Sequence, residues 1–173
     1  REREITAYHE AGHALATKLL LPENYISKVT IIPSVKGAGG FNLSIPKDTM
    51  YQSQRQILAN IKILYAGRAA EELIFGPDEI TTGASNDIQK ASSLIADYTN
   101  KFGMDPEMGP FSTQIFHDTV DGELIEKCRT IAGNLYEETK NLLDKNLQSL
   151  EKIALKLLQQ ETLTGDDIDK LIQ

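Results

Sequence analysis

The sequence is poor in cysteine, tryptophan and basic residues. It has 173 residues with a single cysteine, Cys128, and no tryptophan. One cysteine excludes an internal disulfide framework and favours a reducing compartment. Asp and Glu outnumber Lys and Arg by 25 to 18, which gives a formal charge of −7. This balance argues against a nucleic-acid partner, because phosphate binding needs a basic face.

Long apolar runs are also missing. No stretch of the sequence approaches the roughly 20 apolar residues that a membrane-spanning helix requires. The content of 40% hydrophobic and 25% charged residues is typical of a soluble globular domain, and the length is sufficient for a hydrophobic core. The chain begins at Arg1, in the charged stretch "RERE", rather than at methionine. We therefore expect an upstream region, which could carry a membrane anchor or another enzyme domain.

Hydrophobic periodicity predicts a mainly α fold with a small β-ribbon. Apolar residues recur at helical spacing over most of the chain, and Pro22 and the Gly76-Pro77 pair mark helix ends. The β-branched stretch "KVTIIP" and the alternating stretch "FNLSIP" are typical of short strands that could pair with each other. The predicted helices cover residues 6–20, 48–75, 86–102, 124–143, 147–158 and 166–172.

The histidines are few but concentrated. Two of the three lie in "AYHEAGHALA", residues 7–16, as the pattern H-E-x-x-H. His9 and His13 are one turn apart on a predicted helix, so both imidazoles can point at one metal ion, at Zn–N distances of about 2.0–2.1 Å. Glu10 is rotated by roughly 100°, so it lies beside the open coordination position and can move a proton from water to a leaving amine. The pattern predicts a zinc peptidase site, against the alternative of merely packed or solvated histidines.

A catalytic zinc site needs a third protein ligand, and the residues themselves leave its identity open. The remaining histidine, His117, lies in the polar stretch "FHDT" and is more simply a solvated loop residue. A carboxylate is then the natural ligand, either Glu71 or Glu72 in "AGRAAEELIFG" or Asp87 in "TTGASNDIQKAS". Asp87 could instead complement a helix dipole, and the two glutamates could lie on a solvated helix face or orient a histidine. Spacing does not rank these residues.

Gly12 lies in the middle of the H-E-x-x-H helix. A glycine there costs roughly 1 kcal/mol relative to alanine. It is tolerable where another element packs closely, such as the helix that carries the third ligand. We therefore predict a close helix contact at Gly12, with a neutral accident as the alternative.

Several separate stretches, taken in order, resemble one known family. They are "AYHEAGHA", "KVTIIP", "LYAGRAAEELIFG", "TTGASNDIQKAS", "FGMDPEMGP" and "LLQQETLTGDDI". The sequence is similar over nearly its whole length to the peptidase domain of FtsH-type, membrane-anchored AAA zinc metalloproteases. The combination is specific, whereas a lone H-E-x-x-H would not be. On this basis we expect a catalytic part over residues 1–110 and a C-terminal helical part of the same peptidase domain over 121–173.

The resemblance implies a set of site residues. The aspartate of "GASND" is the third zinc ligand of the family, which is Asp87 here, so that His9, His13 and Asp87 hold one Zn²⁺ per subunit with Glu10 as the base. Glu71 and Glu72 then fall to supporting roles around the ligands. An edge strand of the family receives extended substrate by β-augmentation. We expect Gly40, Phe41, Asn42, Leu43, Ser44 and Ile45 to form this strand here, with an ordinary hairpin strand as the alternative. Asn42 and Ile45 depart from the family pattern and leave cleavage preference open.

The resemblance also implies an assembly. In the family, a hexameric ring of membrane-anchored subunits carries an upstream ATPase domain that unfolds polypeptides and threads them to the peptidase. This chain has no GxxxxGK[ST] loop, so ATP would act only through such an upstream domain. The full-length protein would face the bacterial cytoplasm at the inner membrane, or an organelle matrix or stroma. The alternative to a protease of unfolded or membrane-derived polypeptides is a zinc-stabilised assembly module with little activity, which would have no need of Glu10.

Overall fold

A computed structural model describes residues 1–33, 50–116 and 122–172. Within those ranges the chain forms helices connected by short loops, with two three-residue strands, so the prediction of a mainly α fold is confirmed. None of the described helices combines the length and apolarity needed to cross a membrane. The elements are α1 (Glu2–Leu20), β1 (Lys28–Thr30), α2 (Gln54–Phe75), α3 (Ser85–Asn100), α4 (Gly122–Lys145), α5 (Leu147–Gln160), β2 (Thr162–Thr164) and α6 (Gly165–Ile172).

Helix α2 begins later than the predicted residue 48. Ser53 caps it, because the backbone N–H of Gln56 donates to Ser53 Oγ and the backbone N–H of Ser53 donates to Gln56 Oε1 at 2.8 Å. This reciprocal pair satisfies two amides that the first helical turn would otherwise leave open. At the other end, Gly76 adopts a φ of 94°, and Pro77 follows, as the sequence predicts.

Helices α1 and α2 approach closely at Gly12. A Cβ added to Gly12 would lie 2.5 Å from the carbonyl oxygen of Ala66 and 2.9 Å from the Cβ of Ala70, so only glycine permits this approach. The predicted close contact is present. Its partner, however, is α2 rather than α3, the helix that carries Asp87. The small residues Ala66 and Ala70 of α2 let the two helix backbones come together at Gly12.

The β-ribbon joins distant parts of the chain. Strand β1 pairs antiparallel with β2, with Val29 opposite Leu163, and both side chains are fully buried. The predicted partner "FNLSIP" lies outside the described residues. Three-residue strands are too short to show an alternating pattern, so β2 could not be predicted from the sequence.

Two hydrophobic clusters meet on α2. The first joins α1, α2 and α5 around Leu15, Ile63 and Leu157, and the second joins α2, α3 and α4 around Ile61 and Ile95. Each fully buried side chain of this size contributes about 1.5–3 kcal/mol relative to an exposed one. Both clusters combine residues from the two predicted parts, 1–110 and 121–173, whose division stays a prediction. Helix α2 therefore holds both α1 and α3, the helices that carry the predicted metal ligands.

Candidate metal centre

The structure brings His9, His13 and Asp87 together. The Nε2 atoms of the two histidines are 3.1 Å apart, and Asp87 Oδ2 lies 3.3 Å from His9 Nε2 and 3.2 Å from His13 Nε2. Both histidines are buried, and Asp87 is half-buried in the first turn of α3. In the part of the chain that the structure describes, these three form the one group of His, Cys, Asp or Glu placed to share a metal ion.

The other nitrogen of each imidazole is held by α2. His9 Nδ1 lies 2.6 Å from Glu71 Oε2, and His13 Nδ1 lies 2.7 Å from the carbonyl oxygen of Ile63. Because a carboxylate and a carbonyl can only accept, both Nδ1 atoms carry the donated proton. Both Nε2 atoms are thereby aimed at the carboxylate of Asp87, the orientation that metal-binding histidines need.

The negative charges of Asp87 and Glu71 favour a positive charge at His9. Burial alone would lower the pKa of His9, but hydrogen bonds with Asp87 and Glu71 outweigh it and raise the pKa to about 9. Burial would raise the pKa of Asp87, yet His13 and His9 hold it well below its usual range. The pKa of Glu71 is likewise lowered by His9 and Thr81 against the effect of burial. Without metal, His9 therefore holds a second proton, on the Nε2 that faces Asp87, and a divalent cation at the same place would replace that proton.

Gly67 leaves room for that cation. A Cβ added to Gly67 would lie 2.5 Å from His9 Nε2 and 2.6 Å from His13 Nε2. The backbone of α2 therefore forms a wall against which the two metal-facing nitrogens sit, and any side chain would enter the space between them. Two imidazoles, one carboxylate and an unobstructed wall fit a His₂-carboxylate zinc site.

Glu10 is buried beside these groups without belonging to the converging set. Only 5% of its surface is exposed, and its negative charge is one of the influences that raise the pKa of His9. It follows His9 directly on α1. Glu10 is therefore a buried carboxylate close enough to His9 to affect its charge, and its role as a base stays a prediction.

The two predicted supporting glutamates lie in different surroundings. Glu71 is fully buried and contacts His9, as described above. Glu72 faces α4, where its Oε1 accepts from the Tyr136 hydroxyl at 3.2 Å and its Oε2 pairs with Lys140 Nζ at 2.6 Å. Of these two glutamates, Glu71 is the one that contacts a predicted metal ligand, and its supporting role stays a prediction.

Three groups around the candidate metal centre were not predicted from the sequence. The carbonyl of Ile63 and the wall at Gly67 belong to α2, and Thr81 lies in the turn before α3. A mid-helix glycine in "LYAGRAAEE" was the one available signal, because it costs helix stability without a local reason. The predicted substrate strand, Gly40 to Ile45, and His117 lie outside the described residues and stay predictions.

A helical domain with buried H-E-x-x-H histidines beside an aspartate has the features of a metallopeptidase. Over residues 1–171 the chain matches the family described as Peptidase family M41. It belongs to that family and is an FtsH-type peptidase domain, which confirms the resemblance from which Asp87 was predicted as the third ligand.

Individual relatives agree with this assignment. The chain is 64% identical over 171 residues to the ATP-dependent zinc metalloprotease FtsH of Lachnoclostridium phytofermentans, covering 99% of this chain and 30% of that protein. It is 47% identical over 173 residues to FtsH 1 of Alkaliphilus metalliredigens, covering 98% and 29%. It is 36% identical over 180 residues to the mitochondrial inner membrane m-AAA protease component yta12 of Schizosaccharomyces pombe, covering 99% and 23%. The chain spans less than a third of the length of these relatives.

Proposed function

We propose that this chain is a zinc endopeptidase with one Zn²⁺ per chain, held by His9, His13 and Asp87. The observation that carries the proposal is the convergence of two buried imidazole nitrogens and one carboxylate oxygen within 3.1–3.3 Å of one another. Their Nδ1 partners keep both imidazoles in the metal-binding orientation. The names of the relatives, which are zinc metalloproteases, support the choice of metal.

Glu10 is the proposed proton carrier. Zn²⁺ bound in this site would supply Lewis acidity, which polarises a peptide carbonyl and lowers the pKa of water toward neutrality. The Glu10 carboxylate takes a proton from the attacking water and gives it to the leaving amine. Its burial beside His9 keeps it close to the ligands and limits competition from bulk water. A zinc-stabilised assembly module would gain nothing from a buried acid in that place.

We further propose the context of the longer protein. Its substrates are unfolded or membrane-derived polypeptides, delivered by an upstream ATPase domain in a homo-hexamer at the bacterial inner membrane or in an organelle. The words "ATP-dependent" and "mitochondrial inner membrane" in the names of relatives support this context. The segment Gly40 to Ile45 would receive substrate as an added strand. A Gly40→Pro variant that stays folded and cleaves peptides normally would contradict that role.

The decisive variant is Glu10→Gln. It keeps the shape of the side chain and removes its basicity, so zinc content should stay unchanged while hydrolysis of an unfolded protein such as casein falls by about 10²–10⁴-fold. The matched control is Glu4→Gln, which alters an exposed glutamate of the same helix and should change neither quantity. A Glu10→Gln protein that cleaves at the wild-type rate would exclude this mechanism. Chelator-resistant cleavage by the wild type would exclude zinc.

The third ligand is tested with Asp87→Ala. Loss of one of the three protein ligands should weaken zinc binding by more than about 100-fold, beyond what an orienting residue contributes. Metal content after gel filtration and competition with a chromophoric chelator measure this directly. Asp97→Ala removes a half-buried aspartate of the same helix and serves as the control. Full zinc occupancy in Asp87→Ala would show that another residue completes the site.

A further inference from the structure

Thr81 lies on the connection between the helix of Glu71 and the helix of Asp87. Its hydroxyl donates to Glu71 Oε1 at 2.7 Å, and its backbone N–H donates to the same oxygen at 3.1 Å. The second oxygen of that carboxylate, Oε2, accepts from His9 Nδ1 at 2.6 Å. Thr81 and His9 therefore hold the two ends of one fully buried carboxylate.

The same hydroxyl also fixes the turn that leads to Asp87. Thr81 Oγ1 accepts from the backbone N–H of Gly83 at 3.2 Å and so caps the short 3₁₀ turn Thr82–Ala84. Helix α3 follows at Ser85, and Asp87 is its third residue. The Thr81 hydroxyl thus donates to Glu71, the partner of His9, and accepts from Gly83 in the turn that leads to Asp87.

We propose that Thr81 is a positioning residue of the metal centre, whose hydroxyl holds the orientation of His9 and the placement of Asp87 in register. This inference rests on the proposed zinc ligands. A buried carboxylate is oriented by its hydrogen bonds. With the hydroxyl removed, the backbone N–H of Thr81 is the one donor left to Oε1 among the residues that the structure describes. Glu71 can then rotate, and the turn before Asp87 loses its cap. Metal ligands tolerate displacements of only about 0.5 Å, so both changes weaken metal binding.

A purely structural role predicts a different outcome. If the hydroxyl only stabilised the turn, its loss would lower the stability of the metal-free protein and leave the zinc affinity of the folded protein unchanged. A positioning role predicts weaker zinc binding by the folded protein and a changed environment of the His9 Nδ1 proton. The two roles therefore separate in zinc affinity and in the histidine NMR signal.

The test compares Thr81→Val, which removes the hydroxyl at similar volume, with Thr81→Ser, which keeps it. Zinc affinity, measured by chelator competition on the folded chain, should fall by about tenfold or more in Thr81→Val and stay within about threefold of wild type in Thr81→Ser. Thr82→Val is the matched control, because this exposed neighbour lies in the same turn and its backbone carbonyl, which the substitution keeps, is the group that accepts from Ser85. Unchanged affinity in Thr81→Val would overturn the proposal. An equal loss in Thr81→Ser would do so too, since it would assign the effect to the methyl group.

The His9 Nδ1–H signal gives a readout independent of activity. In the metal-free protein, this proton should exchange faster with water in Thr81→Val than in wild type, and Thr81→Ser should restore the wild-type exchange rate.

Thr81→Ala is measured in parallel with Thr81→Val. If both variants fail to fold with zinc present, Thr81 has a structural role and the proposal is overturned. The proposed set of zinc ligands is tested separately, and it fails if Asp87→Ala keeps its zinc. If Asp87→Ala loses its zinc while the Thr81 variants keep the wild-type zinc affinity, only the role of Thr81 is rejected.

Discussion

Glu71 and Glu72 are neighbours on α2, yet they belong to different regions of the molecule. Glu71 is fully buried between His9 and Thr81, at the candidate metal centre. Glu72 lies at the contact of α2 with α4, where its side chain is 16% exposed and pairs with Lys140, whose side chain is 25% exposed. A rotation of roughly 100° between consecutive helical residues separates the two carboxylates.

The partners of each glutamate decide what it can do. Glu71 accepts hydrogen bonds at both oxygens, from His9 and from Thr81, and its lowered pKa keeps it anionic despite burial. Glu72 accepts from Tyr136, whose pKa burial raises to about 12, so that the phenol stays a donor. The metal-centre side therefore sets histidine orientation, whereas the α4 side joins two helices. Residue type alone does not distinguish these roles.

The largest expected contrast is in zinc affinity. Glu71→Gln replaces one acceptor oxygen by an NH₂ group, while His9 and Thr81 both offer donors, so one hydrogen bond must be lost. Zinc affinity should fall by about 10–100-fold in Glu71→Gln and stay within about twofold of wild type in Glu72→Gln. Chelator competition on the two variants measures this. Equal losses in both variants would remove the distinction between the two regions.

Much of the candidate metal site was predictable from the sequence, but the contrast between the two glutamates was not. The spacing of His9 and His13 fixed both imidazoles on one helical face, and the acid after the first histidine had an evident chemical use. Asp87 came from family resemblance, because a ligand some seventy residues away leaves no periodic signal. The sequence placed Glu71 and Glu72 together as supporting residues and could not separate them.

The remaining features depend on packing between distant segments. The main-chain carbonyl of Ile63 carries no sequence signature at all, since every residue has one. The pairing of β1 with β2 joins residues more than 130 positions apart over three-residue strands. The close approach at Gly12 was predicted, but which helix fills the space depends on the small residues Ala66 and Ala70 being brought to that point.

The dependence of zinc binding on pH should also differ between the Glu71 and Glu72 variants. The pKa of His9 in the metal-free protein is about 9, above its ordinary value near 6.5, so His9 keeps a proton at neutral pH that zinc must displace. Zinc affinity should therefore rise with pH, by about tenfold per unit between pH 6 and 8, and flatten toward pH 9. In Glu71→Gln, one hydrogen bond that raises this pKa is lost, so the rise should level off at a lower pH. Glu72→Gln should follow the wild type, and a flat wild-type profile would contradict the protonation of His9.

The smallest expected effect is on stability at the α4 side. Glu72→Gln weakens a partly buried ion pair and should lower the free energy of unfolding of the metal-free protein by about 1 kcal/mol. The pair of Lys62 with Glu138 joins the same two helices, but the Glu138 side chain is 58% exposed. Glu138→Gln should therefore change stability by less than about 0.5 kcal/mol, since solvent screens an exposed pair. Urea unfolding of both variants at low and high salt measures the difference. If Glu138→Gln lowered the free energy of unfolding as much as Glu72→Gln does, burial would not set the strength of these two ion pairs. Glu72 would then contribute no more to the α2–α4 contact than the exposed Glu138.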